Sequence, residues 1–308
     1  MDNLPPVETG LTVLAYHRVG DPETTAFDPW VITANQEQLE GQLRFFQQHH
    51  RLVGLDEAIE IAAGRDKSPG RAILITFDDG YLDNYQMALP VLKAVGCEAT
   101  FFLVSGFMTE GLFAWWDLMA WQIRAAKDAV FQLPVGTEIK TVDVREMSAP
   151  EAIGAVLDLY KACPAETLDA FTTSLAAAVP AGMQPPSDRM FLDMGEARAL
   201  LDAGMRLGAH TQTHAILARL SAEEQRDEMR RSRAILEERI GATIDVMAYP
   251  VGGPSDFDQT TQALAAECGY RAAFSCHGGR NEPGRTNLFD IKRRAVYWNA
   301  QPEHIAEG

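Results

Sequence analysis

The chain has 308 residues, 46% of them hydrophobic and 23% charged, which is enough for one large α/β domain or two average ones with a sizeable core. Its formal net charge of −16 disfavours loose association with nucleic acid or an anionic membrane, although a local pocket can still take an anionic substrate. No apolar run is long enough to span a bilayer, and the first fifteen residues lack the basic start and apolar core of a secretory leader. Cys97, Cys163, Cys268 and Cys276 lie far apart without a Cys-x-x-Cys pair, so they read as buried thiols of a reducing compartment, the cytoplasm.

In chain order, short apolar runs alternate with helical patterns. Leu11 to Tyr16 is the first predicted strand, interrupted by His17-Arg18. Thr33-Ala34-Asn35-Gln36 reads as a capping box, after which Leu39, Leu43 and Phe46 keep one helical face apolar. Asp56 caps a short helix through Ala62. Ala72 to Phe77 is a second strand and ends in Asp78-Asp79-Gly80. A helix from Tyr85 to Val95 bends or restarts near Pro90 and stops at Gly96. Ala99 to Val104 is a third strand.

Residues 105 to 190 break this rhythm. Helices are expected from Trp115 to Ala129, Pro150 to Leu159 and Ala165 to Ala178, with one short strand from Ile139 to Val144. This stretch reads as a helical insertion at about 105–190 within a single domain, 1–308. Beyond it, helices are expected at Gly195–Ala203, from Ser221 to Gly241 and at Gln259–Cys268. Further strands are expected at Met205–Ala209, Asp245–Ala248, Arg271–Ser275 and Ile291–Trp298. The alternation implies an α/β fold with a mainly parallel sheet, closed or nearly closed. In such barrels the site lies at the C-terminal ends of the strands. The polar groups at 17, 78–79, 210–214, 249–253 and 277 all follow predicted strands and are expected to meet on one rim.

Two of these groups carry a definite chemistry. Asp78 and Asp79 are adjacent where a strand becomes a turn, so their carboxylates point in different directions: one can bind a metal while the other faces a bound water. His210 and His214 have the spacing that places two imidazoles on one face of a helical turn. Two neutral imidazoles and one carboxylate form a common catalytic metal set. Metal-assisted hydrolysis is the reading these residues favour.

Thr76-Phe77-Asp78-Asp79-Gly80 and His210-Thr211-Gln212-Thr213-His214 resemble the first two motifs of the NodB-type polysaccharide deacetylases, carbohydrate esterase family 4. Ala15-Tyr16-His17-Arg18-Val19 is similar to the members found with exopolysaccharide synthesis. The resemblance covers roughly residues 11 to 104 and 191 to 298. It implies a distorted (β/α)7 barrel and hydrolysis of an N-acetyl or O-acetyl group on a sugar. It also implies a divalent metal, usually zinc, on Asp79, His210 and His214, with Asp78 as general base and with Thr76 and Gly80 shaping the turn.

The third family motif falls on Ala248-Tyr249-Pro250-Val251-Gly252, where Ala248 stands in place of the arginine that steadies the base. Arg18, Arg293 and Arg294 are the possible replacements. The Val251 N–H can supply the oxyanion contact, with Tyr249 beside it in the loop. The remaining motifs are not recognisable, which leaves His17 and His277 as candidates for the general acid. His49 and His50 read as solvent-facing at a helix end, and His304 as inert in the tail. Trp115 and Trp116 either stack on a sugar ring or pack the insertion; Asp117 reads as a helix-start carboxylate. The expected substrate is a small cytoplasmic acetamido sugar or sugar conjugate. The alternatives are a metal-dependent hydrolase of non-sugar amides and an inactive carbohydrate-binding relative.

Overall fold

The structure, a computed structural model, describes residues 10–66 and 70–307, so residues 1–9, on which most of the leader reading falls, lie outside it. The described chain forms two compact units, one within 1–20, 33–112 and 190–308, the other within 21–32 and 113–189.

The first unit is built on seven parallel strands: β1 Gly10–Tyr16, β2 Arg71–Phe77, β3 Ala99–Leu103, β4 Arg206–Ala209, β5 Val246–Ala248, β6 Ala272–Ser275 and β7 Ile291–Ala295. Each pairs with the next in sequence, and β7 pairs back to β1, so the ring closes without an edge. This is the expected (β/α)7 barrel. A two-residue strand, Arg51–Leu52, lies against the first half of β2 outside the ring, while β3 takes the second half of the same edge. The last strand stops at Ala295, short of the expected Trp298.

The period of two sorts the strand side chains into two layers. Tyr16, Ile73, Ile75, Phe77, Phe101 and Leu207 face outward against the helices. The Phe77 ring stacks on Tyr16 at 5.3 Å and on Phe101 at 5.0 Å across adjacent strands. Leu11, Val13, Ala72, Leu74, Phe102, Val246, Ala272 and Phe274 fill the interior together with the helix Leu55–Ala62. Asp56 of that helix pairs with Arg206 and Arg271, at the starts of β4 and β6, so the helix covers the N-terminal end. Asp56 therefore holds strand starts; the cap position of its helix is Gly54, without a side-chain hydrogen bond.

Other helices follow their signals. The box at the first helix, Gln36–His49, is formed by Asn35 and Gln38 instead of Thr33 and Gln36, because Thr33 lies in extended backbone two residues earlier. A π-helical turn, Asn84–Ala88, runs into the helix Leu89–Val95, with Pro90 in its first turn and Gly96 left-handed at its end. Ser221 and Glu224 box the start of Ala222–Ile240.

The second unit carries the helices Trp115–Ala125, Ala149–Ala162 and Leu168–Ala177 and an antiparallel hairpin, Val130–Val135 with Glu138–Asp143. The first hairpin strand was not expected. Its signals are the two-residue turn Gly136-Thr137, with Gly136 at φ +60°, and the inward-facing Phe131 and Leu133. Residues 105–112 belong to the first unit and residues 21–32 to the second.

Gly208 of β4 is fixed by interior packing: a Cβ there would lie 2.5 Å from a Phe102 ring carbon and 3.1 Å from a Val246 methyl. Gly208→Ala should destabilise the fold by about 1–3 kcal/mol through overpacking. Denaturant unfolding checks this, and an unchanged midpoint would show that the Phe102 ring moves aside freely.

Candidate active site

The C-terminal rim of the barrel carries the polar residues. Asp78 directly follows β2, and its N–H donates to the Tyr16 carbonyl at 2.9 Å. Because Tyr16 and Phe77 are register partners, His17 stands level with Asp78 on the neighbouring strand. The His17 carbonyl accepts from Asn84 Nδ2 at 2.7 Å, which fixes this corner of the rim.

The Asp78 carboxylate is 2% exposed and is gripped by Arg293, which is 0% exposed at an inward position of β7. Nη1 donates to Oδ1 at 2.6 Å and Nη2 to Oδ2 at 2.8 Å. Arg293 also donates to Thr76 Oγ1 at 3.2 Å and to the Ser275 carbonyl at 3.0 Å, and its guanidinium lies 5.1 Å from the Phe102 ring centre. The Thr76 hydroxyl in turn donates to the Leu14 carbonyl at 2.9 Å. Burial alone would raise the Asp78 pKa; the charge and hydrogen bonds of Arg293 outweigh it and hold the carboxyl well below the usual carboxylate range. Of the three arginines considered as replacements, Arg293 is the one on the carboxylate. Arg18 pairs with Asp83 at 2.9 Å, and Arg294 donates to the Ile305 carbonyl.

Beside this pair, Asp79, His210 and His214 are buried with ligand atoms all within 4.8 Å of one another. Asp79 Oδ1 lies 3.6 Å from His210 Nε2 and 3.4 Å from His214 Nε2, and His210 Nε2 lies 3.8 Å from Asp78 Oδ2. His210 Nδ1 is 2.8 Å from the Ala248 carbonyl, which can only accept; Nδ1 therefore carries the proton and the Nε2 lone pair faces Asp79. Burial pushes the His210 pKa down to about 4 and that of His214 well below its ordinary value. Both imidazoles are thus neutral near pH 7, the form that binds metal. The donor set fits a divalent ion with open coordination positions.

The stretch 210–214 is not the helical turn its spacing suggested. Thr211 lies at φ +63° and His214 at φ +59°, and the chain makes a loop in which the two rings sit 4.8 Å apart at 79°. Asp79, at φ +72°, and Val251, at φ +61°, are also left-handed. Among the described residues only Asn299 joins these four as a non-glycine at positive φ. Left-handed backbone costs about 1–3 kcal/mol per residue and collects where surrounding structure over-determines it. For Val251 the turn is tight: the Gly252 N–H donates to the Pro250 carbonyl at 2.6 Å, so Val251 is the centre of a strained three-residue turn. Its own N–H has no hydrogen-bond acceptor among the described residues. Gly252 follows at φ +73°, where a Cβ would meet the Cys276 nitrogen at 2.7 Å.

Tyr249 does not line the site. It is 0% exposed, stacks on Phe257 at 4.4 Å, and its hydroxyl donates to the Phe289 carbonyl. His277 lies two residues beyond β6 with Nε2 3.1 Å from Asp290 Oδ1, an oxygen that also accepts from Ser275 Oγ at 2.6 Å. Asp290 was missed because no local pattern links it to His277, thirteen residues earlier. Trp115 and Trp116 lie in the second unit, where Trp115 packs on Tyr160 at 4.5 Å and Trp116 is 5% exposed, so the Trp116 ring offers no open face to a sugar. Asp117 is fully buried and accepts from the Asp28 N–H at 3.1 Å, a structural tie in addition to its first-turn position. His49 and His304 are exposed; His50 is half-buried near Phe45 and Phe46.

The family model described as "Polysaccharide deacetylase" matches residues 65–148 and 167–273. The YxkH protein of Bacillus subtilis (strain 168) is 30% identical over 95 residues; the match spans 30% of this chain and about a third, 32%, of that protein. Among solved structures, the Streptococcus pyogenes deacetylase PplD in complex with acetate aligns with a TM-score of 0.63 at 18% identity, covering 98% of this chain and 100% of that one. IcaB from Ammonifex degensii aligns with a TM-score of 0.60 at 20% identity, covering 97% of this chain and 95% of its own. At these identities the likeness is one of fold.

Arg293→Met strands the Asp78 charge in the barrel and should cost about 3–5 kcal/mol in denaturant unfolding at pH 7. Arg293→Met combined with Asp78→Asn should recover much of that loss, because neither charge then remains buried. A single variant within 1 kcal/mol of the parent chain, roughly a surface pair's worth, would contradict the pairing. For the metal-free chain, the folded His210 pKa of about 4 lies below its ordinary 6.5. The stability from its neutral form is therefore full above about pH 6.5 and is lost as the pH falls through about 4. Thermal melts across that window, compared with those of His210→Asn, should show the parent losing more; parallel curves would contradict it.

Proposed function

The chain belongs to the polysaccharide deacetylase family, and on that premise we propose that it hydrolyses an N-acetyl, or another short N-acyl, group from a carbohydrate. The observation that carries the reading is the pairing of two kinds of carboxylate. Asp78 is locked to Arg293, while Asp79 shares a buried cluster with two neutral imidazoles. A divalent ion held by Asp79, His210 and His214 would polarise the acyl carbonyl and acidify a water.

Asp78 is the proton acceptor in this scheme. Arg293 donates one hydrogen bond to each carboxylate oxygen, which leaves each oxygen a further lone pair. The low pKa keeps the group ionised, and the bidentate grip fixes its direction, so orientation is gained where basicity is modest. The Val251 N–H, which has no acceptor among the described residues, donates to the oxyanion of the tetrahedral intermediate. His277 delivers the proton to the leaving amine, its ring held in place by Asp290 Oδ1 3.1 Å from Nε2. His17 is the second choice for this role, because register places it beside Asp78.

The finer form of the proposal is zinc as the ion and a small acetamido sugar or sugar conjugate in the cytoplasm as the substrate. Two imidazoles with one carboxylate are a habitual zinc set. The four cysteines are all free, which suits a reducing compartment. No helix among the described residues is long and apolar enough to cross a membrane.

An acetate-release panel of acetamido sugars, their conjugates and oligomers, and non-sugar N-acyl amides tests the reading. Release from small acetamido sugars is the expected result; release only from oligomers would replace the small substrate with a polymer. Release only from the simple amides would make the protein a general amidase, and sugar binding with no release would make it an inactive relative. Asp78→Asn should lower kcat by about 10²–10⁴ with metal content retained, whereas His210→Ala should lose both. Turnover near the parent value in Asp78→Asn removes the base assignment. His277→Ala should lose more activity than His17→Ala, and the reverse order would exchange their roles.

A further inference from the structure

The loop that carries both imidazoles has two left-handed residues, Thr211 and His214, and one of them is β-branched. Such a loop does not hold its shape by local preference. One side is tied by the start of the short helix Ser105–Thr109 after β3: the Ser105 N–H donates to the Thr211 carbonyl at 3.3 Å and the Gly106 N–H to the Gln212 carbonyl at 2.8 Å. Gly106 is required there, since a Cβ would lie 2.5 Å from that Gln212 oxygen. These contacts fix the carbonyls, and the His214 N–H donates within the loop to Thr211 Oγ1 at 3.1 Å, which leaves the Gln212 and Thr213 N–H groups to be satisfied from elsewhere.

Glu228, on the helix Ala222–Ile240, satisfies them. Its Oε2 accepts from the Gln212 N–H at 2.8 Å and the Thr213 N–H at 2.9 Å, and its Oε1 accepts from Thr213 Oγ1 at 2.7 Å. Two successive backbone N–H groups converging on one oxygen form a concave anion site, here filled by the protein's own carboxylate. Among the described residues Glu228 forms no ion pair, so its charge serves the loop alone. The next residue after Thr213 is His214.

We propose that Glu228 is a positioning residue for the metal centre: by holding the 212–213 backbone it sets the direction of the His214 ring, and its negative charge behind the loop favours a dication in front of it. The inference rests on Asp79, His210 and His214 binding a divalent metal. It adds a residue fourteen positions beyond His214, on another element, that touches neither metal nor substrate.

Zinc titration of the metal-free chain by calorimetry, with melting of the metal-free proteins alongside, tests this. Outer contacts of this kind are worth about 10–100-fold in metal affinity. Glu228→Ala should weaken zinc binding by about that factor. Glu228→Gln, which keeps an acceptor for the two N–H groups, should fall between Ala and the parent. At limiting zinc the Ala variant should lose kcat with KM unchanged, and excess zinc should restore it; a role confined to folding would lower the melting temperature without this metal-dependent rescue. Zinc affinity of Glu228→Ala within twofold of the parent overturns the proposal. A parent chain that takes up no divalent ion in the same titration overturns the metal centre itself, and the positioning role with it.

Discussion

The buried ion pair between Asp78 and Arg293 is the constraint on which the rest of the site depends. Both groups are almost wholly withdrawn from water, at several kcal/mol of desolvation each. The cost is offset by bidentate geometry and by the further hydrogen bonds from Arg293 to Thr76 and Ser275. The same guanidinium thus touches residues of β2 and β6 from a position on β7. The bidentate grip of a guanidinium lying over the Phe102 ring gives Asp78 a fixed orientation. Neutralising either partner alone would leave a charge in the barrel with no way out to solvent.

Strain at the rim follows from the same rigidity. Asp79, Thr211, His214 and Val251 all leave their strands or loops in left-handed backbone. Backbone crowds close beside them: a Cβ on Gly106 would lie 2.5 Å from the Gln212 carbonyl oxygen and one on Gly252 2.7 Å from the Cys276 nitrogen. The cross-strand ring pairs and the helix under the barrel supply the stiffness. What the strain achieves is direction. Asp79 and the two imidazoles face the same small region, a result regular secondary structure would not give at these spacings.

Much of the fold was legible because its strands are short apolar runs with definite stops. The seven expected runs lie within a residue or two of the observed strands, the shortened seventh excepted, since a buried parallel strand needs little beyond apolar length and a glycine or charged stop. The π-helical turn before Pro90 was not legible, because it depends on tertiary contacts more than on pattern, whereas the hairpin strand Val130–Val135 was missed although the Gly136 turn and the alternation of Phe131 and Leu133 mark it. Asp78-Asp79 and His210…His214 could be read as a set. The role of Arg293 could be narrowed only to three arginines, because its contact with Asp78 spans 215 positions and exists only once the ring is closed. Asp290 and Glu228 reach the site across elements in the same way. Tyr249 misled because a motif position says nothing about which way a ring turns.

Anomalous X-ray scattering at the zinc edge from crystals grown with zinc bears most directly on the account. It predicts one strong peak within bonding distance of Asp79, His210 Nε2 and His214 Nε2, with Asp78 still held by Arg293 and not bonded to the ion. A peak on Asp78 in place of Asp79, or no peak between the two imidazoles, would contradict it.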